Sequence, residues 1–334
     1  METILITGAG YVGSVIAQTL KAAHNIILID KRQCMVPDGT TFFMIDCTDR
    51  NALDALCALY NIDAVIHTAA YIDVAASCAD PLLYYENNII STLAIIAAMR
   101  KHRIPTIIFS SSAAVYGNPL YTPLDEKHPC NPVSPYGRTK LMAEEILRDA
   151  ANAYGITAIA LRYFNVAGAW PEHNLGEQHE PETHILPRLF ACARSGIPLD
   201  LYGTVYLTPD GSAIRDMVHV RDIAAAHQAA LDYSQANSGF DVFNIASAKP
   251  TSMYELIAAV ERTIDLPIRV RTQPNRAGDP HTLLASIENA RTKMGWLPAY
   301  SDLEYIIASA WEFETNARCS SHDHVHTTQT KPLG

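Results

Sequence analysis

The segment SPYGRTK, residues 134–140, places a phenol and an ammonium group four residues apart. Ser134 followed by Pro135 is typical of a helix start, because a serine hydroxyl can accept a free backbone amide and proline suits the first helical position. Tyr136 and Lys140 then lie one turn apart on one helical face. A free tyrosine has a pKa near ~10 and is a poor base at neutral pH, but a neighbouring ammonium group favours the phenolate. The pair therefore predicts a base that removes a proton from a hydroxyl group.

Three consecutive serines provide a hydroxyl partner for such a base. They belong to FSSSAAVYG, residues 109–117, which continues an apolar run that is typical of a buried strand. If this strand belongs to a parallel sheet, its carboxyl end faces the ligand crevice. Taken alone, the serines can equally cap a loop. Together with Tyr136 and Lys140, they predict that one serine hydrogen-bonds the oxygen from which the tyrosine removes the proton.

A glycine-rich loop near the N-terminus predicts a dinucleotide site. In TILITGAGYVGS, three glycines follow the first apolar run and precede a helical pattern: Gly8, Gly10 and Gly13. Glycines permit a tight turn and the close approach of a pyrophosphate to helix amides. Asp30 ends the next apolar run about 20 residues further on, where a carboxylate accepts ribose hydroxyls and repels a 2′-phosphate. NAD is therefore favoured over NADP, although Lys31 and Arg32 can weaken this preference or simply form a solvated turn.

Short apolar runs alternate with helical patterns over the first two-thirds of the chain. Runs that are apolar on both faces predict buried parallel strands at 3–7, 26–29, 42–45, 64–67, 106–110 and 158–164. Helical patterns lie at 12–22, 50–59, 81–102 and 135–153. This alternation predicts an α/β fold with a doubly wound parallel sheet, the Rossmann arrangement.

The regular alternation of strand and helix patterns ends after residue 164. This change predicts a second, smaller α/β domain for the substrate. Residues 1–164 form the expected NAD-binding domain, to which the chain returns near 219–246, and residues 165–315 form the expected substrate domain. Helical patterns in the second part lie at 185–195, 221–234, 252–263 and 301–314. Residues 316–334 predict a disordered tail, whose three histidines are interpreted as part of a frayed terminus and not as a metal site. No metal is expected.

Composition limits the partners of the chain. Its 334 residues carry a formal net charge of −10, with 49% hydrophobic and 18% charged residues. An acidic surface argues against nucleic acid or an anionic membrane as the main partner. Seven scattered cysteines without a CxxC pair predict reduced thiols, and no signal peptide is apparent, so a cytoplasmic protein is expected. No apolar run approaches the ~20 residues of a membrane helix.

Several longer motifs carry a family resemblance that is more specific than the glycine loop. SSSAAVYG, SPYGRTKLMAEEIL, LRYFNVAGA, GEQHEPETHILP, TPDGSAIRDMVHVRDIAAAH and RAGDP occur in this order. Over residues 1–315 the chain resembles the extended short-chain dehydrogenase/reductases, and closely the UDP-glucose (UDP-galactose) 4-epimerases. The resemblance implies a UDP-sugar substrate, tightly bound NAD and inversion at the sugar C4 through a transient 4-keto sugar. The interconversion of UDP-glucose and UDP-galactose is therefore the expected reaction.

The resemblance also assigns roles to individual residues. Tyr136 is the expected base, Lys140 supports it and holds the nicotinamide ribose, and Ser112 hydrogen-bonds the sugar hydroxyl. Further cofactor contacts are expected from Gly8, Gly10, Tyr11, Val12, Gly13, Asp30, Lys31, Asp46, Cys47, Thr68, Ala69, Ala70, Asn87 and Phe164. Further substrate contacts are expected from Asn165, Tyr202, Arg215, Arg276, Asp279 and Leu283. The two arginines also suit a diphosphate on chemical grounds, since guanidinium groups pair with phosphate in a bidentate manner.

Three departures from the family pattern concern the cofactor. The glycine loop TGAGYVG is one residue shorter than the usual TGxxGxxG. A lysine that often follows the fourth strand and contacts phosphate is replaced by Ile72, and the segment after Asp30 is short. These changes predict weaker NAD binding but leave the Ser, Tyr and Lys set intact.

Related activities remain open at this point. A 4,6-dehydratase is disfavoured because Ala113 and Ala114 stand where that reaction needs an acid/base pair. A 4-reductase, a UDP-xylose/arabinose epimerase and a non-catalytic NAD-sensing module remain alternatives. Leu283 is expected to leave room for the sugar C2 substituent, so UDP-GlcNAc and UDP-GalNAc are further candidate substrates, although it can equally be a core residue. The resemblance also implies a homodimer in which helices 81–102 and 135–153 form a four-helix bundle.

Overall fold

The centre of the molecule is a parallel β-sheet. The structure is a computed structural model that describes residues 1–34, 36–179, 182–275 and 280–323, with side chains up to residue 316 at the C-terminal end. Its strands are β1 Thr3–Thr7, β2 Asn25–Asp30, β3 Thr41–Met44, β4 Ala64–His67, β5 Thr106–Ser112, β6 Thr157–Tyr163 and β10 Phe240–Ile245. Their order is β10-β6-β5-β4-β1-β2-β3, and every neighbouring pair is parallel. Chain order reverses between β1 and β4, which confirms the predicted doubly wound α/β fold.

Eleven α-helices surround this sheet and extend beyond it in the described residues. They are α1 Tyr11–Leu20, α2 Arg50–Leu59, α3 Val74–Ala79, α4 Pro81–Tyr84, α5 Ile90–His102, α6 Pro135–Tyr154, α7 Ile185–Ser195, α8 Val220–Ser234, α9 Met253–Ile264, α10 Glu288–Met294 and α11 Leu303–Asp323. Helices α1 and α8 cover one face of the sheet, and α2, α5 and α6 cover the other.

Side chains along β1 explain why the central strands are apolar on both faces. Ile4 and Ile6 pack into the cluster beneath α1 and α8, whereas Leu5 packs into the cluster beneath α2 and α5. Successive side chains of a strand point to opposite faces, so a strand between two helical layers must be apolar throughout. The continuous apolar runs in the sequence therefore identify the central strands.

The strands outside the central sheet belong to a smaller α/β unit that follows β6 in the chain. Its strands are β7 Asn165–Ala167, β8 Leu199–Tyr202, β9 Ile214–His219, β11 Pro250–Ser252, β12 Val270–Gln273 and β13 Thr282–Leu283. Strand β9 pairs with β7, β11 and β13, while β8 pairs with β12. An apolar cluster beneath α7, α9 and α11 forms the core of this unit. Strand β10 brings the chain back to the central sheet beside β6.

Two helical predictions need correction. The segment 81–102 is interrupted by a π-helical turn at Tyr85–Ile89, and π turns inside helices are frequent at functional sites. Helix α11 extends to Asp323, so residues 316–323 are helical where a disordered tail was expected, and the rest of that tail lies outside the described residues.

The segment Pro81–His102 is also long and apolar enough, by length and composition alone, to cross a membrane. It has 22 residues and a mean hydropathy of 1.2, and 50% of its apolar 18-residue stretch is buried inside the structure. The expectation that no run approaches this length is therefore wrong by that criterion. Helix α5 packs against α2 and α6, which accounts for the apolar residues on its inner face.

Candidate active site

Helix α6 begins where the sequence predicts, and its first turns carry Tyr136 and Lys140. Ser134 Oγ accepts a hydrogen bond from the Gly137 amide at 3.1 Å, and Pro135 is the first helical residue. A Cβ atom on Gly137 would lie 2.5 Å from the Ala114 carbonyl oxygen, so the helix start packs directly on the loop after β5. Tyr136 is 9% exposed and Lys140 is 4% exposed. Both chemical groups are therefore largely withdrawn from water.

Burial controls the protonation of this pair. It raises the pKa of Tyr136 to about 12, against the opposing effect of a hydrogen bond with Ser112. It also lowers the pKa of Lys140 to about 7, although the Glu144 carboxylate acts in the other direction. The sequence predicted that the ammonium group would favour the phenolate. In the protein alone the Tyr136 pKa moves in the opposite direction, because burying the charged phenolate costs free energy.

The three serines at the end of β5 have three different partners. Ser110 Oγ lies 2.8 Å from the Tyr163 hydroxyl, and Ser111 Oγ donates to Glu144 Oε1 at 2.5 Å. Ser112 Oγ accepts from the Ala114 amide at 3.2 Å, and Ser112 is the serine that acts on Tyr136 by lowering its pKa. The geometry thus singles out Ser112 from the triplet as the partner of the candidate base.

A buried ion pair behind these serines was missed at the sequence level. Arg162 donates from Nε to Glu144 Oε1 at 2.9 Å and from Nη2 to Oε2 at 2.6 Å. The side chains are only 4% and 0% exposed, and they join β6 to α6. The signal was an arginine inside the apolar run AIALRYF, because a charge in a buried strand requires a partner.

The loop between β1 and α1 forms an open cradle. Gly8 has a φ of +88°, and a Cβ atom on Gly13 would lie 1.9 Å from the Gly8 carbonyl oxygen, so the turn is too tight for larger residues. Helix α1 begins at Tyr11 without a side-chain cap. A Cβ atom on Gly10 would meet no atom within 4 Å. The start of α1 thus has no side-chain cap and there is room beside Gly10, which fits the pyrophosphate of a dinucleotide.

Asp30 and Lys31 lie at the rim of this cradle. Asp30 Oδ2 accepts from the Ala9 amide at 3.0 Å, which links the end of β2 to the glycine loop. Lys31 Nζ donates to Tyr71 Oη at 2.7 Å and to Asn87 Oδ1 at 3.2 Å, and it lies 4.2 Å from the centre of the Tyr71 ring. Lys31 is thus held in one direction by two neighbours, unlike a freely solvated turn residue.

The other expected cofactor residues follow the carboxyl ends of their strands. Thr68, Ala69 and Ala70 follow β4, Asp46 and Cys47 follow β3, and Phe164 follows β6. Parallel strands end at the same edge of a sheet, so these positions share one side of the crevice. Burial raises the pKa of the Cys47 thiol to about 12. For Asp46, burial acts upward, but hydrogen bonds from Thr48 outweigh it and lower the pKa.

Asn87 belongs to the π-helical turn, and its neighbour Asn88 was not anticipated. Asn88 Oδ1 accepts from the Tyr71 amide at 2.9 Å and from Asn87 Nδ2 at 3.0 Å. Its own amide nitrogen donates to Thr139 Oγ1 at 3.1 Å. Asn88 therefore connects the loop after β4 with α6, and nothing in its local sequence distinguishes it from Asn87.

Several expected substrate residues are brought together by β9. Asn165 begins β7, which pairs with β9, and Leu283 of β13 is in register with Arg215 of β9. Within the described part of the chain, the buried Asn165 Oδ1 atom has no hydrogen-bond partner. Arg215 Nη1 donates to the carbonyl oxygens of Ile214 and Pro280, both at 2.9 Å.

Leu283 is only partly buried, and it packs against a cluster that contains Phe164 and Ala113. Tyr202 ends β8, in the separate two-stranded sheet. Arg276 and Asp279 lie outside the described residues.

Comparisons with known proteins agree with this arrangement. The NAD dependent epimerase/dehydratase family matches residues 4–246. A UDP-glucose 4-epimerase of Lacticaseibacillus casei is 40% identical over 324 residues, which are 95% of this chain and 97% of that protein. The crystal structure of a Brucella ovis UDP-glucose 4-epimerase in complex with NAD has 39% identity and a TM-score of 0.90, covering 94% of this chain and 98% of that one. The structure of a Campylobacter jejuni UDP-Glc/GlcNAc 4-epimerase has 37% identity and a TM-score of 0.83, covering 95% and 100%.

Proposed function

The chain belongs to the NAD dependent epimerase/dehydratase family and, within it, to the UDP-glucose 4-epimerases, and from this premise we propose that it interconverts UDP-glucose and UDP-galactose with NAD as cofactor. The observation that carries the proposal is the interaction of the partly buried Ser112 with the buried Tyr136, at the same sheet edge as the glycine cradle. A hydroxyl-recognising base beside a dinucleotide site is the arrangement needed to oxidise and reduce one carbon.

The residues of this site suit a reversible exchange at the sugar C4. Bound NAD supplies the chemistry of accepting a hydride from C4 and returning it to the opposite face of the sugar. Tyr136 takes the proton of the C4 hydroxyl and later gives it back, while Ser112 hydrogen-bonds the same oxygen. Proton and hydride both return, so the reaction has no net oxidation. Because Ala113 and Ala114 follow Ser112, no acid/base pair is available there for the loss of water.

We assign the cofactor to the cradle at Gly8, Gly10 and Gly13 and to the ends of strands β2 to β6. Lys31 has a particular place in this assignment. Its ammonium group hydrogen-bonds Tyr71. The next residue, Ile72, stands at the position where related enzymes often carry a phosphate-binding lysine. Lys31, directly after β2, therefore supplies the positive charge that Ile72 lacks, which offsets one of the departures that predicted weak NAD binding.

We assign the UDP-sugar to the crevice between the two units. The unpartnered Asn165 Oδ1 is a buried acceptor that a ligand hydroxyl or amide can satisfy, since leaving it unpaired costs free energy. Arg215 and Arg276 are assigned to the diphosphate, with Tyr202 and Asp279 beside it. Leu283 is assigned to the wall near the sugar C2 substituent. A leucine there leaves room for an N-acetyl group, so UDP-GlcNAc and UDP-GalNAc are included among the proposed substrates.

We assign a homodimer to the surface formed by α4, α5 and α6. Large apolar side chains are exposed there: Leu82, Leu83, Ile90, Leu93 and Met142. Pairing α5 and α6 with their copies would cover these side chains in a four-helix bundle. The free thiols are the reason for placing this dimer in the cytoplasm. In sedimentation it should have twice the mass of the 36.6 kDa chain, and a species with the mass of one chain would contradict the dimer.

The test of the proposed function uses purified protein and UDP-galactose without added cofactor. Formation of UDP-glucose, with no accumulation of NADH, is expected because the cofactor stays bound and is regenerated in each cycle. Stoichiometric or continuing NADH release would instead indicate a dehydrogenase. Retention of NAD without any conversion, across a panel of UDP-hexoses, UDP-hexosamines and UDP-pentoses, would indicate a binding module and overturn the proposal.

A further inference from the structure

Four side chains that ligate metals well converge just before α7. They lie in GEQHEPETHILP, and each offers one ligand atom such that all four atoms lie within 4.8 Å of one another: Glu177, His179, Glu182 and His184. The proposed epimerisation uses none of them. Two carboxylates and two imidazoles form a donor set of nitrogen and oxygen atoms that suits zinc and similar divalent ions.

Nitrogen–oxygen separations within the cluster run from 2.6 to 3.9 Å, and Glu182 presents a different oxygen to each histidine. His184 Nδ1 lies 3.3 Å from Glu182 Oε1, and His179 Nδ1 lies 3.3 Å from Glu177 Oε1. His179 Nδ1 lies 3.9 Å from Glu182 Oε2. Ligands about 2.0–2.2 Å from a tetrahedral ion lie roughly 3.3–3.6 Å apart. The 2.6 Å separation between Glu177 Oε1 and His184 Nδ1 is shorter than this and the 3.9 Å separation is longer, so the side chains have to adjust when a tetrahedral ion binds.

His179 provides an independent observation. Its Nδ1 atom is buried, yet it has no partner in hydrogen-bonding geometry among the residues that the structure describes. The same atom faces both carboxylates at the distances given above. A buried nitrogen that is close to acceptors but poorly aligned for donation is better placed to bind an ion than to form a hydrogen bond.

The surroundings hold Glu177 in place. Its side chain is only 10% exposed, and the preceding Gly176 packs so closely that a Cβ atom there would lie 2.3 Å from the ring of Phe313 in α11. Burial raises the pKa of the nearby Tyr11 hydroxyl, and the negative charge of Glu177 adds to this effect. Glu177 is thus a fixed charge near the cofactor loop, and a divalent cation would neutralise the two carboxylates of the cluster.

We propose that Glu177, His179, Glu182 and His184 bind one divalent transition-metal ion, with Zn²⁺ as the ion to be tested. All four positions come from the protein, which is the arrangement of a structural site and not of a catalytic one. His184 is the residue that precedes α7, so the ion would fix the start of this helix relative to Glu177. The proposal does not depend on the reaction that the enzyme catalyses.

The test measures metal content and affinity, not turnover. Full-length protein without an affinity tag is stripped with a chelator and dialysed against Zn²⁺, and bound zinc is measured by mass spectrometry and calorimetry. One zinc per chain is expected. His179→Gln and Glu182→Gln should each lower the affinity at least roughly 10-fold, because each removes a ligand. Co²⁺ in place of Zn²⁺ should give the visible absorption of a tetrahedral site in the wild type and not in these variants.

Two controls make the result decisive. His173→Gln alters an exposed histidine whose ring meets Trp170 in a T-shaped contact, and it should leave the zinc affinity unchanged. A variant with His322, His324 and His326 replaced by glutamine tests the tail as the source of binding. Zinc bound by the wild type but lost only in the tail variant, or no retained zinc at all, would overturn the proposal. Failure of the epimerase assay with zinc bound would count against the proposed reaction alone.

Discussion

The ammonium group of Lys140 donates a 2.7 Å hydrogen bond to the backbone carbonyl oxygen of Ser110. This bond ties α6 to β5, the strand that ends in Ser112, so the helix with the candidate base and the strand with its partner are fixed relative to each other. The same ammonium group lies 5.9 Å from the centre of the Tyr136 ring. Lys140 therefore has a positioning function as well as an electrostatic one.

Tyr136→Phe should preserve the fold and cofactor binding but lower turnover at least roughly 100-fold, the lower end of what general acid–base catalysis contributes. The change removes only the hydroxyl group that is proposed to take the proton. Turnover of UDP-galactose and bound NAD per chain are the measurements. Tyr154→Phe, at the exposed end of the same helix, is the matched control and should be close to wild type. Near-normal turnover of Tyr136→Phe would remove this residue as the base.

Lys140 should make stability depend on pH. Its pKa is about 7 in the folded protein, whereas an unfolded lysine titrates near ~10.4. Between these values the unfolded chain binds more protons, so the free energy of unfolding rises with pH, by at most about 1.4 kcal/mol per pH unit. The test is urea unfolding of the NAD-free protein at several values between about pH 7 and pH 9. As the pH rises, the free energy of unfolding of the wild type should increase relative to that of Lys140→Met. Parallel pH dependences for the two proteins would contradict the burial argument.

The sequence was sufficient to predict the central sheet because the strands are apolar on both faces, as β1 and β4 show. The predicted ends of strands were wrong where strand pairing continued into polar residues. The predicted fifth strand stopped at Ser110, but β5 continues to Ser112 because Ser111 and Ser112 pair with Arg162 and Tyr163 of β6. Local hydrophobicity does not contain this information, since it depends on the neighbouring strand.

The site was predictable only where chemistry and local spacing coincide. Tyr136, Lys140 and the glycines follow from motifs that are local in the chain. The contacts of Lys31 with Tyr71 and Asn87 span 40 and 56 residues, and their existence depends on how the loops after β2 and β4 approach each other. The pKa of Tyr136 was mispredicted for a related reason, because sequence spacing reveals a neighbouring charge but not the depth of burial.

Lys31→Met should weaken NAD binding by roughly 10- to 100-fold, because one hydrogen bond to a charged group contributes about 1.5–3 kcal/mol. The variant keeps the length of the side chain and removes its charge. Arg32→Met is the matched control. The Arg32 side chain is 79% exposed, and among the described contacts it donates no hydrogen bond comparable to those of Lys31. The measurement is the dissociation rate of NAD from the two variants. Equal rates would show that Lys31 does not replace the missing lysine.

Leu283→Tyr should narrow the substrate range. A tyrosine ring at the wall that Leu283 shares with Phe164 would fill the space proposed for an N-acetyl group. Conversion of UDP-GlcNAc to UDP-GalNAc should then fall by at least roughly 10-fold relative to that of UDP-glucose, which corresponds to about 1.4 kcal/mol. The activity of the same variant on UDP-glucose is its internal control. A wild-type protein that forms no detectable UDP-GalNAc would remove the premise.

Glu144→Gln should be strongly destabilising, because it leaves the Arg162 guanidinium group buried without a counter-charge. Loss of one partner of a buried ion pair costs about 3–5 kcal/mol. The Ser111 hydroxyl, which donates to the same carboxylate, cannot compensate a positive charge in this orientation. Glu145→Gln is the matched control, since the next residue of α6 is exposed and its loss should change urea unfolding very little. If the two variants unfold at the same urea concentration, the pair does not hold α6 against β6. A double replacement, Glu144→Leu with Arg162→Met, should recover part of the loss, because two apolar side chains need no counter-charge.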